Sequence, residues 1–256
     1  MDLRLKFDED AGNYDALRPT YTKPLFDEII AYSALNESKR ALEIGIGTGQ
    51  ATLPILDTGC GVTAVELGEN LAGYVERKFA AFAGFRVIHT SFESFPGVEG
   101  TYDLIYAATA FHWLEQDSGL RKIHSLLKPG GSIALFWNHP FVGRDEDELH
   151  QEIRRIYLKY KPSDRIPVAF SVDQCRKYEE ALERHGFSDT VSKIYYSTRI
   201  LPSQQYISLL NTYSDHRALP QEIKPLLETE IATAIGRLGG ELRIYDTMDL
   251  YLARKL

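Results

Sequence analysis

The sequence is poor in the features that announce many protein classes. Its two cysteines, Cys60 and Cys175, stand far apart and form neither a C-x-x-C pair nor part of a ligand cluster, so two free thiols are expected. The seven histidines are scattered without metal-ligand spacing and no H-E-x-x-H occurs, so no metal centre is expected. There is no G-x-S-x-G turn to present a serine nucleophile, which speaks against a hydrolase. No apolar run reaches the roughly 20 residues needed to span a bilayer. The opening Met1-Asp2-Leu3-Arg4-Leu5-Lys6-Phe7-Asp8-Glu9-Asp10 lacks the apolar stretch of a signal peptide. A cytoplasmic location with no membrane partner is the expectation. Positive charge is also scarce, since 29 Lys and Arg against 36 Asp and Glu leave a formal charge of -7. A phosphate backbone is bound by clustered Lys and Arg that release counterions, and no such concentration is found, so no nucleic-acid partner is expected.

What is present is ordinary globular material: 44% hydrophobic and 25% charged residues in a chain of 256. That length suits one large α/β domain with modest inserts. After a polar opening, Thr22-Lys23-Pro24 precedes a helical spacing of Phe26, Ile29, Ile30 and Ser33, which makes residues 1–36 a lead-in or cap. Short apolar strands are then predicted at 40–44, 62–67, 86–89, 102–107 and 132–137. Helical stretches separate them, at 50–58 stopped by Gly59, at 67–82 closed by Gly84, and around Leu120, Ile123, Leu126 and Leu127 before Pro129. Strands recurring with helices between them imply parallel pairing in a doubly wound sheet. Beyond strand five the rhythm changes, with helices at 145–160, 173–185, 203–212 and 221–238 and strands at 191–198 and 242–255. Residues 141–170 and 199–240 are therefore read as helical inserts.

Glu43-Ile44-Gly45-Ile46-Gly47-Thr48-Gly49 follows the first strand, where glycines let backbone N–H groups come close to a ligand. By itself this is also how a ligand-free tight turn reads. Glu66, closing the second strand, lies near the roughly 20-residue offset at which an acid meets a nucleotide's ribose hydroxyls. Its other reading is an exposed acid at a strand end. In the dinucleotide fingerprint G-x-G-x-x-G the third glycine would fall where Gln50 stands, and no Lys-Ser or Lys-Thr pair follows to make a P-loop. A nucleoside without phosphates is favoured.

Residues 41–49, Ala-Leu-Glu-Ile-Gly-Ile-Gly-Thr-Gly, closely resemble the first motif of class I S-adenosylmethionine-dependent methyltransferases. Thr101-Tyr102-Asp103-Leu104-Ile105 resembles their fourth strand, and Leu126-Leu127-Lys128-Pro129-Gly130-Gly131-Ser132 the entry to the fifth. Phe111-His112-Trp113 and the segment Tyr14 to Tyr21 resemble the small-molecule branch around trans-aconitate methyltransferase. The resemblance implies a single Rossmann-like domain over 1–256. It also implies a seven-stranded, mostly parallel sheet with an antiparallel C-terminal strand pair, and S-adenosyl-L-methionine as cofactor. It puts the cofactor's amino-acid end at Gly45, Gly47 and Ala107, with Gly49 in the loop, Glu43 beneath it and Arg18 at the carboxylate. The ribose falls at Glu66 beside Leu67, and the adenine at Ser91, Phe92 and Glu93. Many relatives carry Asp where Ser91 stands, and a hydroxyl accepts from the adenine amine more weakly than a carboxylate.

A methyl sulfonium is already activated, so such a protein chiefly aligns the acceptor and excludes water. A carboxylate acceptor needs no base, whereas a hydroxyl or amine needs a proton removed. His112, just past strand four, is the candidate base, although His112 and Trp113 also read as a structural turn. Trp113, Trp137 and His139, with Tyr14 and Tyr21 from the lead-in, are candidates for an aromatic acceptor pocket and equally for core. Tyr213 and Arg217 lie in a loop between insert helices that either closes the acceptor site or is plain solvated surface. The expected partner is a small-molecule methyl acceptor, and the protein a monomer or homodimer. The rival readings are a non-catalytic binder of S-adenosylmethionine or its product and a nicotinamide-dependent oxidoreductase.

Overall fold

The computed structural model describes residue 15, residues 18–161 and residues 168–256, and Tyr14 lies outside them. The apolar strands assemble in the order β3-β2-β1-β4-β5-β7-β6. They are β1 (Arg40–Ile44), β2 (Gly61–Glu66), β3 (Phe85–His89), β4 (Tyr102–Ala108), β5 (Leu127–Phe141), β6 (Phe187–Pro202) and β7 (Glu241–Lys255). The first five pair in parallel, and β7 runs antiparallel between β5 and β6. The helices are α1 (Lys23–Ser33), α2 (Leu53–Leu56), α3 (Glu69–Lys78), α4 (Gln116–Leu126), α5 (Glu148–Tyr160), α6 (Arg176–Arg184), α7 (Ser203–Leu210), α8 (Ser214–Arg217) and α9 (Lys224–Arg237). This is the seven-stranded class I methyltransferase architecture. The chain leaves β1 toward β2 and β3, then crosses back to β4, so β1 and β4 part at their carboxyl ends. In such sheets ligands bind in that crevice.

Both faces of the central strands are covered, which is why β1 and β4 read as near-continuous apolar runs. One face packs Leu42, Ile105, Ile133 and Tyr251 against α4 and α6, the other Ala41, Leu104, Phe136 and Leu250 against α1 and α3. A third core, including Ile153, Leu209, Leu227 and Ile231, joins α5, α7 and α9 to Leu242 and Ile244 of β7.

Several elements differ in length from the sequence reading, among them the helix expected over 67–82, which spans Glu69–Lys78, and three differ for reasons visible in the structure. The helix expected over 50–58 shrinks to Leu53–Leu56, because Gly49 turns left-handed at φ 82° and the Thr52 hydroxyl is drawn to Glu43. Strand five extends at both ends, back to Leu127 by a pairing with Tyr102 of β4 and past Trp137 by its long antiparallel pairing with β7, from Ser132–Arg254 to Phe141–Tyr245. Strand six likewise runs over 187–202, with a bulge at Asp189, φ 51°, between Ser188 and Val191.

Candidate active site

The crevice opens into a cavity of about 340 Å³, and one of its ends is made largely of backbone. Gly45 continues the sheet, its N–H donating to Val65 O at 2.9 Å, then turns at φ 66°; a Cβ there would stand 2.9 Å from that of Ala110. Glu66 ties two loops together, Oε2 accepting from Gly47 N and Oε1 from Gly68 N, each at 2.9 Å. Beneath the loop, buried Glu43 accepts at Oε2 from the hydroxyls of Thr52, 2.7 Å, and Tyr106, 2.8 Å. Burial pushes its pKa up to about 7, the neighbouring Glu66 adding to the rise against those two hydrogen bonds. Farther along, Leu67, Leu71, Thr90, Ser91 and Phe92 continue the lining.

The other end is made of side chains brought from several elements. Thr109 follows β4 with φ 51°, and its hydroxyl shares a 2.6 Å hydrogen bond with Tyr21 and accepts from Asn138 N. The Arg18 guanidinium donates to Thr212 O at 2.7 Å and lies 4.5 Å over the Tyr213 ring, so the lead-in segment meets the loop before α8. His112, in the 3-10 turn Phe111–Trp113, lines the wall with Trp113, Asn138 and Asp215. Asn138 has both amide side-chain atoms buried without a partner. Polar atoms in that condition are rare and mark places where a ligand or water belongs.

The methyltransferase-domain family profile matches residues 41–131. An uncharacterized methyltransferase-like protein of Schizosaccharomyces pombe is 27% identical, with 97% of this chain and 94% of that one covered. The sterol 4-C-methyltransferase of Caenorhabditis elegans is 28% identical, covering 95% and 81%. Haemonchus contortus phosphoethanolamine N-methyltransferase 2, solved with phosphomonomethylethanolamine and S-adenosylhomocysteine, shares the fold at 15% identity and TM-score 0.55, covering 97% and 57%. The chain is an S-adenosylmethionine-dependent methyltransferase.

The residues of the methyltransferase suit that cofactor. Glu43 and Glu66 bring two carboxyl groups to the lining, and Gly45 and Gly47 reach it as backbone at positive φ, 66° and 57°. Of the expected cofactor positions, Arg18, Glu43, Gly45, Gly47, Glu66, Leu67, Ser91 and Phe92 line the cavity and three do not. Gly49 is reserved for packing, since a Cβ there would sit 2.5 Å from the Phe79 ring. Ala107 is fully buried in the core, and its neighbours Ala108, Thr109 and Ala110 face the cavity instead, one residue out of phase. The Glu93 carbonyl accepts from Lys122, away from the lining.

On the acceptor side, Tyr21, His112, Trp113 and Tyr213 line the cavity, whereas Trp137, His139 and Arg217 do not. The pleat of β5 explains the first two: Asn138 and Pro140 face the cavity, so Trp137 and His139 point to the opposite face. There Trp137 stacks on Tyr178 at 4.5 Å, and His139 stacks on Phe170 and bonds Asp249 at 2.9 Å. In the α8 region Asp215, not Arg217, reaches the lining. Asn138, expected at the crevice with Trp137 and His139, and Asp215, in the loop expected to close it, do line the cavity, whereas Thr109 and Pro140 were missing from the sequence-derived candidates. The period-two rule applied to strand five would have kept Asn138 and added Pro140 once Trp137 was known to be core. Among the described residues no group of side chains could hold a metal ion, and no helix is long and apolar enough to cross a membrane.

Proposed function

We propose that the protein methylates a small molecule held between the glycine loop and the cap formed by the lead-in segment and the helical inserts. The observation that carries this is the shape of the cavity. It runs without interruption from Gly47 and Glu66 to His112 and Asn138 and is roofed by Arg18, Tyr213 and Asp215. A volume of about 340 Å³ suits a nucleoside and a compact acceptor, not a polymer. The bound cofactor supplies an activated methyl group. The protein's own residues orient the acceptor, exclude water beneath Arg18 and Tyr213, and hold the glycine loop through Glu66.

The relatives do not fix the acceptor, because one is named for methylation at a sterol carbon and another for methylation at a nitrogen. The narrower likeness to the trans-aconitate methyltransferase branch rests on Phe111-His112-Trp113 and on Tyr14 to Tyr21, of which His112, Trp113, Arg18, Pro19 and Tyr21 contribute to the lining. Calorimetry with S-adenosylmethionine, S-adenosylhomocysteine and NAD, followed by a tritiated-methyl screen over acids, phenols and amines, tests the reading. Binding of both sulfur nucleosides and label in a small product are expected. Binding of NAD alone would leave an oxidoreductase, and sulfur-nucleoside binding with no turnover a sensor.

A further inference from the structure

The hydrogen-bond pattern around His112 decides what its ring can do. Trp137 Nε1 stands 3.0 Å from His112 Nδ1. An indole nitrogen is a donor only, so Nδ1 must carry the lone pair, and the proton of the neutral ring is on Nε2. The donor is not free to swing away. Trp137 is buried, stacked on Tyr178 with an interplanar angle of 23° and set edge-on to Tyr251 at 5.9 Å. Its backbone is paired with Asp249 in β7. The protein around the imidazole also holds its pKa below the ordinary range, with His139 adding to the depression, so the ring stays neutral. Its remaining nitrogen therefore carries an N–H and no lone pair.

We propose that Trp137 is a positioning residue that fixes this tautomer, that His112 donates from Nε2 to the methyl acceptor rather than taking a proton from it, and that the acceptor presents an oxygen already ionised at neutral pH, as a carboxylate does. This rests on the reading of the cavity as the cofactor and acceptor site. The amide of Asn138, buried and unpartnered on the same wall, gives a second donor for such an oxyanion. The other titratable groups of the lining are committed elsewhere. Glu43 accepts from Thr52 and Tyr106, and Glu66 from two backbone N–H groups. Burial alone would raise the Asp215 carboxyl, but its bond to Lys161 at 2.8 Å and the nearby charges of His216 and Lys161 carry it below the usual range, which makes it a weak base. The Tyr213 phenol is pushed up by burial and stays protonated. An ionised oxygen needs none of them. Its electron pair forms the new O–CH₃ bond, and the C–S bond breaks with its pair going to sulfur. The negative and positive charges cancel, and no proton moves.

The decisive measurement is the protonation pattern of the ring, read by long-range ¹H–¹⁵N correlation on the full ¹⁵N-histidine-labelled chain with S-adenosylhomocysteine, assigned with His112→Gln. A protonated Nε2 with an unprotonated Nδ1 is expected, and Trp137→Phe should convert it to a mixture of tautomers. A proton on Nδ1, a doubly protonated ring, or an unchanged pattern in Trp137→Phe overturns the proposal. With tritiated cofactor and a panel of mono- and dicarboxylic acids, phenols and primary amines, label should appear in base-labile methyl esters. His112→Phe should raise the KM for the acid about 10- to 100-fold, the scale for one charge-assisted hydrogen bond, with kcat little changed because the charge on the oxygen is lost in the transition state, while His112→Gln, which keeps an N–H in place of Nε2, should stay within about 3-fold. Faster labelling of an amine or phenol than of every acid, label in none of the acids, or equal loss in the two variants overturns the oxyanion assignment. Failure of the underlying site reading looks different, because neither sulfur nucleoside would then bind while the tautomer could still be read in the free protein.

Discussion

One end of the cavity is lined by Gly45, Gly47 and the carboxylate of Glu66, all within two strand ends of one another and cross-linked by backbone N–H groups. The other end is lined by His112, Asn138, Tyr213 and Asp215, carried by a 3-10 turn, β5 and the α8 region. That wall is joined to the lead-in by the bond from Arg18 to Thr212, 194 positions away. The first end depends on where the backbone goes, so few substitutions can change what it binds without breaking the loop. The second depends on side chains from separate segments, and any one of them can be exchanged while the sheet and the cofactor loop stand. One protein can thus keep its methyl donor fixed and leave its acceptor open to variation.

If that division is real, damage to the cap should cost stability without touching cofactor affinity. Asp246 in β7 is buried and pairs bidentately with Arg199 of β6 at 2.5 and 2.9 Å, and Arg199 in turn contacts Tyr213. Asp246→Ala strands the guanidinium and should cost about 3–5 kcal/mol in denaturant unfolding, with the folded fraction still binding S-adenosylhomocysteine as the parent does. Loss of cofactor affinity instead would show the two ends to be one unit.

The next effect belongs to the cofactor end. The Glu43 carboxyl has a folded pKa of about 7 against an ordinary 4.5, so between those values the folded protein holds a proton that the unfolded chain has lost. The stability this contributes is fully present below pH 4.5 and is lost as pH rises through about 7, a decline of about 3 kcal/mol at roughly 1.4 kcal/mol per pH unit. Glu43→Gln should flatten that part of a stability-against-pH curve, and a slope identical to the parent's would place the proton elsewhere.

A smaller effect sharpens the contrast directly. Glu66→Ala should weaken S-adenosylmethionine by about 1.5–3 kcal/mol in calorimetry, the range for charge-assisted hydrogen bonds. His112→Gln at the opposite end should leave that affinity unchanged. Unchanged affinity in Glu66→Ala would move the ribose to another group.

The same division separates what was legible in the chain from what was not. The order of strands and helices, the left-handed glycine turn and the acid closing strand two are local, written within a few residues or at a fixed offset, and they could be read directly. The phase of strand five could not. Its residues from Ser132 to Trp137 are all buried, so apolar periodicity gives no sign that Asn138 and Pro140 face the ligand while Trp137 and His139 turn away. Only the antiparallel partner β7 and the packing of Tyr178 and Phe170 settle that phase. The offset of Ala107 from Ala108, the use of Gly49 to admit Phe79, and the meeting of Arg18 with Thr212 have the same origin. The sequence by itself determined a class I sheet and the cofactor it grips, because hydrophobic period and glycine conformation act over short stretches of backbone. Tertiary structure alone decided which side chains face the acceptor and which nitrogen of His112 holds its proton, because each depends on atoms that folding brings together from distant positions.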